Sequence, residues 1–374
     1  MKRKFTSFSY VPILALSPSE MSALEEFPSY HKSNLLPMIP LRGWMAAHTL
    51  EKAMNRVALA VGESNIWIAD VDPNFTTGKK DRITGKYPRQ VFTEIDDLLD
   101  SSNGYENWYS FLQKYKNAIP TLQLGNLDQL DLQMERLLSL QRGLVVKINV
   151  KKISEELFTS LLVKLRDRQP KNLLIIFDHL DITRQDVLEY EKQALTINRF
   201  NQLLPDATFC ISSSSFPSSF SGAYRGELPI YERQLFNKIS KACKTARVIY
   251  SDRGSARAAK VKGGGGLPPP RIDYPQKNEW RFIRKEFADP DDIKDGEKEE
   301  LYKAAALELK KTDYWMPELR IWGTQMIEKT ARGDSHGITN AGRATAVRIN
   351  LHLFNQLHYL EKVEEVDTEE EWVE

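Results

Sequence analysis

The sequence predicts an α/β protein: a TIM-like (β/α)8 barrel followed by a small C-terminal α+β module. Eight short apolar runs alternate with amphipathic helical segments, which is the pattern of repeated β-α units and a parallel sheet. The eight units occupy about 250 residues, the usual size of such a barrel. No Gly-x-Gly-x-x-Gly turn follows an early strand, which disfavours a Rossmann arrangement. An open doubly wound parallel sheet is the alternative.

The predicted strands are the eight apolar runs. Most of them begin about 25 to 40 residues after the previous one, which leaves room for a strand, a turn and a right-handed crossover helix. The runs are residues 10–15, 36–42, 66–71, 119–124, 144–150, 173–177, 208–212 and 247–250.

Local signals predict the helices between these strands. Ser17 and Glu20 form a capping-box pattern, and Thr183 with Asp186 repeats it later in the chain. Apolar residues recur at three- and four-residue spacing over residues 44–61, so one face of a helix there can cover a sheet.

Composition changes divide the chain into predicted domains. The barrel is assigned to residues 1–261, a Gly/Pro linker to 262–270, the α+β module to 271–360 and an acidic tail to 361–374. In the module, an extended hairpin precedes three helices, which are predicted at residues 301–311, 316–331 and 344–360. A polar insertion at 73–103 is read either as a lid over the barrel or as a solvated surface loop.

Charge and cysteine content exclude several classes of protein. The chain has 52 Lys plus Arg and 51 Asp plus Glu, so it has no bulk positive field for nucleic acid. Its two cysteines exclude a disulfide framework and are expected for a cytoplasmic protein. No run of eighteen apolar residues occurs, so no membrane association is expected.

Five short segments carry a family resemblance, and they are Tyr10-Val11-Pro12-Ile13-Leu14, Leu36-Pro37-Met38-Ile39-Pro40, Pro270-Arg271-Ile272-Asp273-Tyr274-Pro275, Glu279-Trp280-Arg281-Phe282 and Gly342-Arg343-Ala344-Thr345-Ala346. Together they resemble the "beta family" proteins of phages and bacterial mobile islands, which are distinct from the phage recombination protein that shares the word beta. The resemblance implies a protein of phages, prophages or defence islands, and it supplies no catalytic residue set. The polar stretch at 76–89 and the acidic tail depart from the family pattern.

A barrel fixes where chemistry would lie, because barrel sites form at the C-terminal ends of the strands. The candidate catalytic residues at that rim are Asp70, Lys147, Asp178 and Asp252. The candidate metal ligands are Asp70, Asp72 and Asp178, for Mg²⁺ or Mn²⁺, and no other cofactor is evident. The candidate substrate- or phosphate-binding residues are Arg42, Asn149, Ser213, Arg253 and Arg271.

Strand alternation places Leu174, Ile176 and Asp178 on one face, so Asp178 would lie above an apolar interior if that face points inward. Carboxylates with cations at such a rim suit a metal-assisted phosphodiesterase. The plainer interpretation is that charged residues end strands because loops and helix caps begin there. His179 is expected to be a solvated loop histidine.

The leading interpretation is a recognition or interaction component, linked to phages or to antiphage defence. Its expected partner is a protein from the same locus, or a nucleic acid bound through the basic stretch from Arg253 to Lys285, where aromatic side chains are interspersed. The alternatives are the hydrolase and a structural scaffold with a degenerate site. The oligomeric state is left open.

Overall fold

A computed structural model describes residues 3–220, 223–258, 267–362 and 366. The described residues form two compact units. The first unit is drawn from Met1–Ser17, Ser33–Ser214 and Tyr231–Arg253, and the second from Pro18–Lys32, Ser215–Ile230 and Gly254–Glu374. The second unit therefore includes two segments, Pro18–Lys32 and Ser215–Ile230, that lie within the range assigned to the barrel from composition. The domain bounds drawn from composition stay a prediction.

The strands of the first unit form two parallel sheets, which confirms a mixed α/β protein. One sheet has the order β1-β2-β3 and the other β4-β5-β6-β8, and every pair is parallel. In chain order the strands of the whole protein are β1 Met38–Leu41, β2 Trp67–Val71, β3 Ala118–Pro120, β4 Leu144–Asn149, β5 Leu173–Asp181, β6 Thr208–Ser214, β7 Arg225–Pro229, β8 Arg247–Tyr250, β9 Arg271–Pro275 and β10 Glu279–Arg284.

Backbone hydrogen bonds also run beyond the named strands. The N-terminal segment, which holds the first predicted strand, has isolated parallel bridges to both β1 and β8. Val11 N–H donates to the Tyr250 carbonyl at 2.9 Å, and Leu14 N–H donates to the Met38 carbonyl at 2.9 Å. Past the end of β3, Leu122 N–H donates to the Val145 carbonyl at 2.8 Å. These hydrogen bonds give partners to backbone groups of the edge strands. In an open sheet, the outer backbone groups of an edge strand have no strand partner.

Apolar side chains from all the parallel strands meet in one buried cluster. Most strands supply one residue to this cluster, and β5 supplies two, Leu174 and Ile176, which are two positions apart. This spacing is expected for side chains on one face of a pleated strand. Burying each such side chain stabilises the fold by roughly 1.5–3 kcal/mol. The cluster consists of Phe5, Phe8, Val11, Ile13, Leu36, Met38, Ile68, Ile119, Val145, Leu174, Ile176, Cys210 and Ile249.

Helices connect the strands, and the capping box predicted at Thr183 and Asp186 is present. Thr183 and Asp186 form a capping box, in which the Asp186 carboxylate accepts the Thr183 N–H at 2.7 Å. The helices are α1 Pro18–Glu25, α2 Ser29–Lys32, α3 Glu51–Val61, α4 Gln90–Leu99, α5 Ser102–Lys114, α6 Leu130–Ser139, α7 Glu155–Arg168, α8 Arg184–Leu188, α9 Tyr190–Leu203, α10 Tyr231–Ala242, α11 Glu297–Leu309, α12 Trp322–Arg332 and α13 Ala341–Leu357.

Two helical regions differ from the sequence expectation. The helix predicted over 44–61 begins only at Glu51, because residues before it form turns and Met45 has a φ of 36°. The insertion at 73–103 contains α4, whose residues Val91 and Ile95 are buried. Because the residues before α4 are mostly polar, the composition of the whole segment did not indicate this short apolar helix face.

The second unit contains the predicted extended pair as part of a three-stranded antiparallel sheet of order β7-β10-β9. Helix α13 packs on β9 and on α1, and α11 packs on α12. The linker up to Gly266, and the tail beyond Lys362 apart from Val366, lie outside the described residues. Within the described part of the chain, no helix is long and apolar enough to span a bilayer.

Candidate functional site

Polar side chains continue the inner face of the parallel strands beyond the apolar cluster. Leu174 and Ile176 of β5 lie in that cluster, so Asp178 shares their face by strand alternation. Lys147 follows Val145 on β4 in the same way, and Asp70 follows Ile68 on β2. The strand ends therefore present a charged rim above an apolar interior.

The rim carboxylates are paired with cations from other strands. Arg253, which follows β8, donates to Asp178 at 2.5 Å, and its side chain stays 17% exposed. Lys147 forms an ion pair with Asp70, and Arg42 pairs with Asp72 at 3.6 Å. We call these three contacts the rim pairs. Each acid is matched by one cation, so the rim pairs carry no net charge.

The end of β5 has an unusual backbone. The pairing of β5 with β6 shifts register between Asp178 and Asp181, and Leu180 between them has a φ of 57°. A left-handed leucine costs about 1–3 kcal/mol, which the surrounding structure must offset. Leu180 N–H donates to the second Asp178 oxygen at 3.1 Å, so the strained turn also fixes the orientation of the carboxylate.

Asp252 is held inside the first unit rather than at an open surface. It is fully buried, and its two oxygens accept the hydroxyls of Tyr10 at 2.5 Å and Tyr250 at 2.7 Å. Burial, more than the neighbouring Asp252 carboxylate, raises the pKa of both tyrosines well above the ordinary value, so both remain donors. The Arg233 guanidinium lies 3.4 Å from the Tyr250 ring centroid. Contact between Asp252 and a substrate would require breaking these bonds.

The remaining predicted residues have diverse positions. The Asn149 side chain accepts the Lys151 N–H at 3.2 Å, a local turn contact. Ser213 is buried on the opposite face of β6 from Cys210, which belongs to the apolar cluster. Arg271 belongs to the second unit, where it pairs with Asp273 at 2.7 Å.

Alternation places two hydroxyls on the inner face that are not among the predicted site residues. Ser212 follows Cys210, and Thr121 follows Ile119, each two residues beyond a member of the apolar cluster. Both hydroxyls are buried without a hydrogen-bond partner among the described residues. Choosing every second residue after each apolar run would have selected them.

The geometry bears on the metal hypothesis. Nowhere in residues 3–220, 223–258 and 267–362 do three His, Cys, Asp or Glu side chains group so that they could hold a metal ion. Asp70, Asp72 and Asp178 each have a cationic partner, which would compete with an incoming cation. The Mg²⁺ or Mn²⁺ site stays a prediction, and no chemical step is derived through it.

His179 is not a solvated loop residue, and that expectation is wrong. It lies within β5, which continues to Asp181, and only 6% of it is exposed. Burial lowers the pKa of His179 to about 4, so the imidazole is neutral at neutral pH.

The basic stretch is more neutral than its sequence indicates. Lys260 and Lys262 lie outside the described residues. Four of the cations further along it have carboxylate partners, which reduces the field available to a phosphate backbone. These ion pairs are Arg271–Asp273, Arg281–Glu279, Arg284–Glu286 and Lys285–Glu308. Nucleic-acid binding stays a prediction.

Comparisons with known proteins support the resemblance seen in the sequence. A family model described as "Beta protein" matches residues 10–358. The chain is 26% identical over 372 residues to "Protein beta" of Enterobacteria phage P4, and the match covers 97% of each protein. The expected family relationship is therefore confirmed.

Among solved structures, the chain is similar to a trimodular endoglucanase of subfamily GH5_4. The TM-score is 0.40 at 9% identity, over 70% of this chain and 57% of the endoglucanase. The match thus spans little more than half the length of that protein.

Proposed function

The chain belongs to the Beta protein family, and on that premise we propose that it is a phage-linked recognition component that binds a protein partner. What supports the phage link is the similarity to a phage protein along 97% of both chains. A role in antiphage defence is the other form of this proposal.

The binding surface in this proposal is the rim pairs. They combine fixed positive and negative groups, with side chains of Arg42 and Asp72 that are 24% and 18% exposed. Partly exposed pairs can exchange partners with complementary charges on another protein, and such complementarity gives specificity and speed of association. A protein is favoured over nucleic acid because the rim pairs have no excess positive charge.

The proposal includes closure of the two parallel sheets into a (β/α)8 barrel. Its support is the set of backbone bonds at the sheet margins, from Val11 to Tyr250 on one side and from Leu122 to Val145 on the other. Closure would bring the ends of all eight parallel segments to one mouth. The domain bounds at 261 and 271 and a cytoplasmic location belong to the same proposal, and the free thiols of Cys210 and Cys243 suit a reducing compartment.

The hydrolase is less favoured by the geometry. A general base must reach the proton that it abstracts, directly or through one water. Asp252 is instead bound by two tyrosine hydroxyls, and Asp178 by Arg253 and the Leu180 amide.

Affinity capture tests the proposal. The full-length tagged chain is co-expressed with the proteins encoded beside it, and wild type is compared with Arg42→Glu. This variant replaces the rim cation by a carboxylate, which is repelled by Asp72. Arg168→Glu is the matched control, since Arg168 lies on α7 away from the rim pairs. We expect wild type and control to retain a partner that Arg42→Glu loses by about tenfold or more.

Three outcomes would overturn this assignment. Equal capture of the partner by wild type, Arg42→Glu and Arg168→Glu would show that the rim pairs do not take part in recognition. Capture that nuclease treatment abolishes would indicate a nucleic-acid partner. Phosphodiester turnover by the purified protein that Asp178→Asn abolishes would establish the hydrolase.

A further inference from the structure

A cavity lies on the outer face of β5, away from the rim pairs. Phe177 and His179 alternate with Ile176 and Asp178, so they face away from the apolar cluster. Together with residues of α8 and α9 they line a cavity of about 220 Å³. We call it the His179 cavity.

Three polar groups in the lining of the His179 cavity have no partner among the described residues. The Gln193 Oε1 atom is buried without a donor. The His179 ring makes no hydrogen bond, and the Lys192 ammonium makes no ion pair, within the described part of the chain. Buried polar groups in proteins are nearly always hydrogen-bonded, so Gln193 Oε1 and the buried His179 ring suit a ligand that offers hydrogen-bonding groups in this cavity.

The other charged groups of the lining are already engaged. Asp186 is used in capping α8, and Glu189 accepts the Gln185 amide at 2.7 Å. Lys151 donates to the Asp181 carbonyl at 2.6 Å. The formal charges of the lining sum to zero, because Lys151 and Lys192 are matched by Asp186 and Glu189. Among these four groups, the ammonium of Lys192, at the exposed side of α9, is the one without a hydrogen bond or ion pair to the described residues and is therefore available to an anionic group.

These groups define the chemistry of the ligand. A neutral imidazole offers one donor and one acceptor, and Gln193 Oε1 requires a donor, so the ligand needs both on one polar edge. Phe177 and Ile197 supply apolar contact for a ring. The volume is below the roughly 300–1,000 Å³ of sites for drug-sized molecules, so it suits a single ring system. Lys192 at the opening suits an attached anion.

We infer that the His179 cavity binds a mononucleotide, with the base between the outer face of β5 and α9 and the phosphate at Lys192. The base satisfies His179 and Gln193, and the phosphate supplies the counter-charge for Lys192. This site is separate from the rim pairs and does not depend on them.

Calorimetric titration of the full-length protein tests the inference. The probes are the four ribonucleoside 5′-monophosphates, with the four nucleosides and inorganic phosphate as comparison ligands. We expect saturable binding of at least one monophosphate, weaker binding of its nucleoside and no competition by inorganic phosphate at equal concentration.

Variants separate the two parts of the site. Lys192→Gln should weaken the monophosphate about tenfold and leave nucleoside affinity unchanged, and Lys192→Arg should retain binding. Gln193→Met should weaken monophosphate and nucleoside alike. Lys241→Gln, an exposed lysine of α10, is the control and should bind as wild type does. Thermal melts check that each variant folds.

The inference is overturned if no monophosphate binds at millimolar concentrations to protein that melts cooperatively. It is also overturned if inorganic phosphate binds as tightly as the nucleotide, or if the Lys192 and Gln193 variants bind as the control does.

Discussion

Aspartate–arginine pairs occur in both units, and their surroundings differ. In the first unit, Arg253 pairs with Asp178 while its side chain keeps contact with solvent. In the second unit, Asp273 pairs with Arg271 at 2.7 Å and with Arg348 at 2.9 Å. The Arg271 side chain is 24% exposed and that of Arg348 only 6%, so the buried pair is Arg348 with Asp273. The two guanidiniums lie over phenylalanine rings, Arg348 at 3.9 Å from Phe216 and Arg271 at 3.5 Å from Phe220.

The contrast shows that burial decides whether an aspartate–arginine pair serves packing or remains available to another molecule. Burial lowers the pKa of Arg348, which means that its charge is held there at a cost that Asp273 offsets. Such a pair fixes the packing of α13 on β9 and has no access to a partner. A rim cation in partial contact with solvent can exchange its carboxylate for one from another molecule.

The largest expected effect is on the buried pair. Arg348→Ala leaves the Asp273 carboxylate buried with one fewer partner, so the free energy of unfolding should fall by about 3–5 kcal/mol. Urea denaturation followed by circular dichroism measures it. Arg332→Ala, at an arginine whose side chain is 73% exposed, should change stability by less than about 0.5 kcal/mol. Equal effects of the two substitutions would contradict the contrast.

The next largest effect is the pH dependence of stability that is due to His179, the residue after Asp178 on β5. Because the folded-state pKa of His179 is about 4 and its ordinary value is 6.5, the unfolded chain binds a proton first as the pH falls. Stability present above pH 6.5 is therefore lost between pH 6.5 and about 4, by roughly 3 kcal/mol relative to His179→Gln. Urea titrations of both proteins across this range measure the difference. Parallel pH profiles would show that His179 is not buried as a neutral group.

A smaller effect is expected at Asp252, which the sequence placed among the catalytic residues. Tyr10→Phe removes a hydroxyl donor from this buried carboxylate and should destabilise the protein by about 1–3 kcal/mol. Tyr109→Phe, which removes a contact to Ser139 at 3.3 Å near the surface, should have little effect on the same unfolding midpoint. If Tyr10→Phe were also neutral, the hydrogen bond from Tyr10 to the buried Asp252 would not stabilise the fold.

The smallest effect is expected for the exposed rim pair. A double-mutant cycle of Arg42→Ala and Asp72→Ala should give a coupling free energy of about 0.2–1 kcal/mol in unfolding. A coupling free energy above about 2 kcal/mol would mean that the Arg42–Asp72 pair behaves like the buried Arg348–Asp273 pair. It would then argue against exchange of Arg42 or Asp72 with charges of a binding partner.

Short apolar strands were predictable because their pattern is local. The run at 144–150 corresponds to β4 Leu144–Asn149, and that at 173–177 to the first part of β5. Strand β7, Arg225–Pro229, was not predictable, since it contains glycine, proline and charged residues. It is a strand because it pairs with β10 at the edge of a sheet.

The rim acids were predictable as a group because topology brings the ends of parallel strands to one side. The cations that pair with them, Arg42, Lys147 and Arg253, were placed at the same rim, but the individual pairings were not predictable, because the partners are remote in sequence. Arg253 lies 75 residues from Asp178, and Tyr10 lies 242 residues from Asp252. The burial of His179 follows from the length of β5, which the apolar run ending at Phe177 did not indicate.

The most direct test of the rim as a recognition surface is a charge swap that keeps the ion pair. In the double variant Arg42→Glu with Asp72→Arg, the pair is retained with reversed polarity. Stability and partner capture are measured on the same preparation. We predict stability within about 1 kcal/mol of wild type and partner capture reduced about tenfold or more. Full capture by this folded double variant would contradict it.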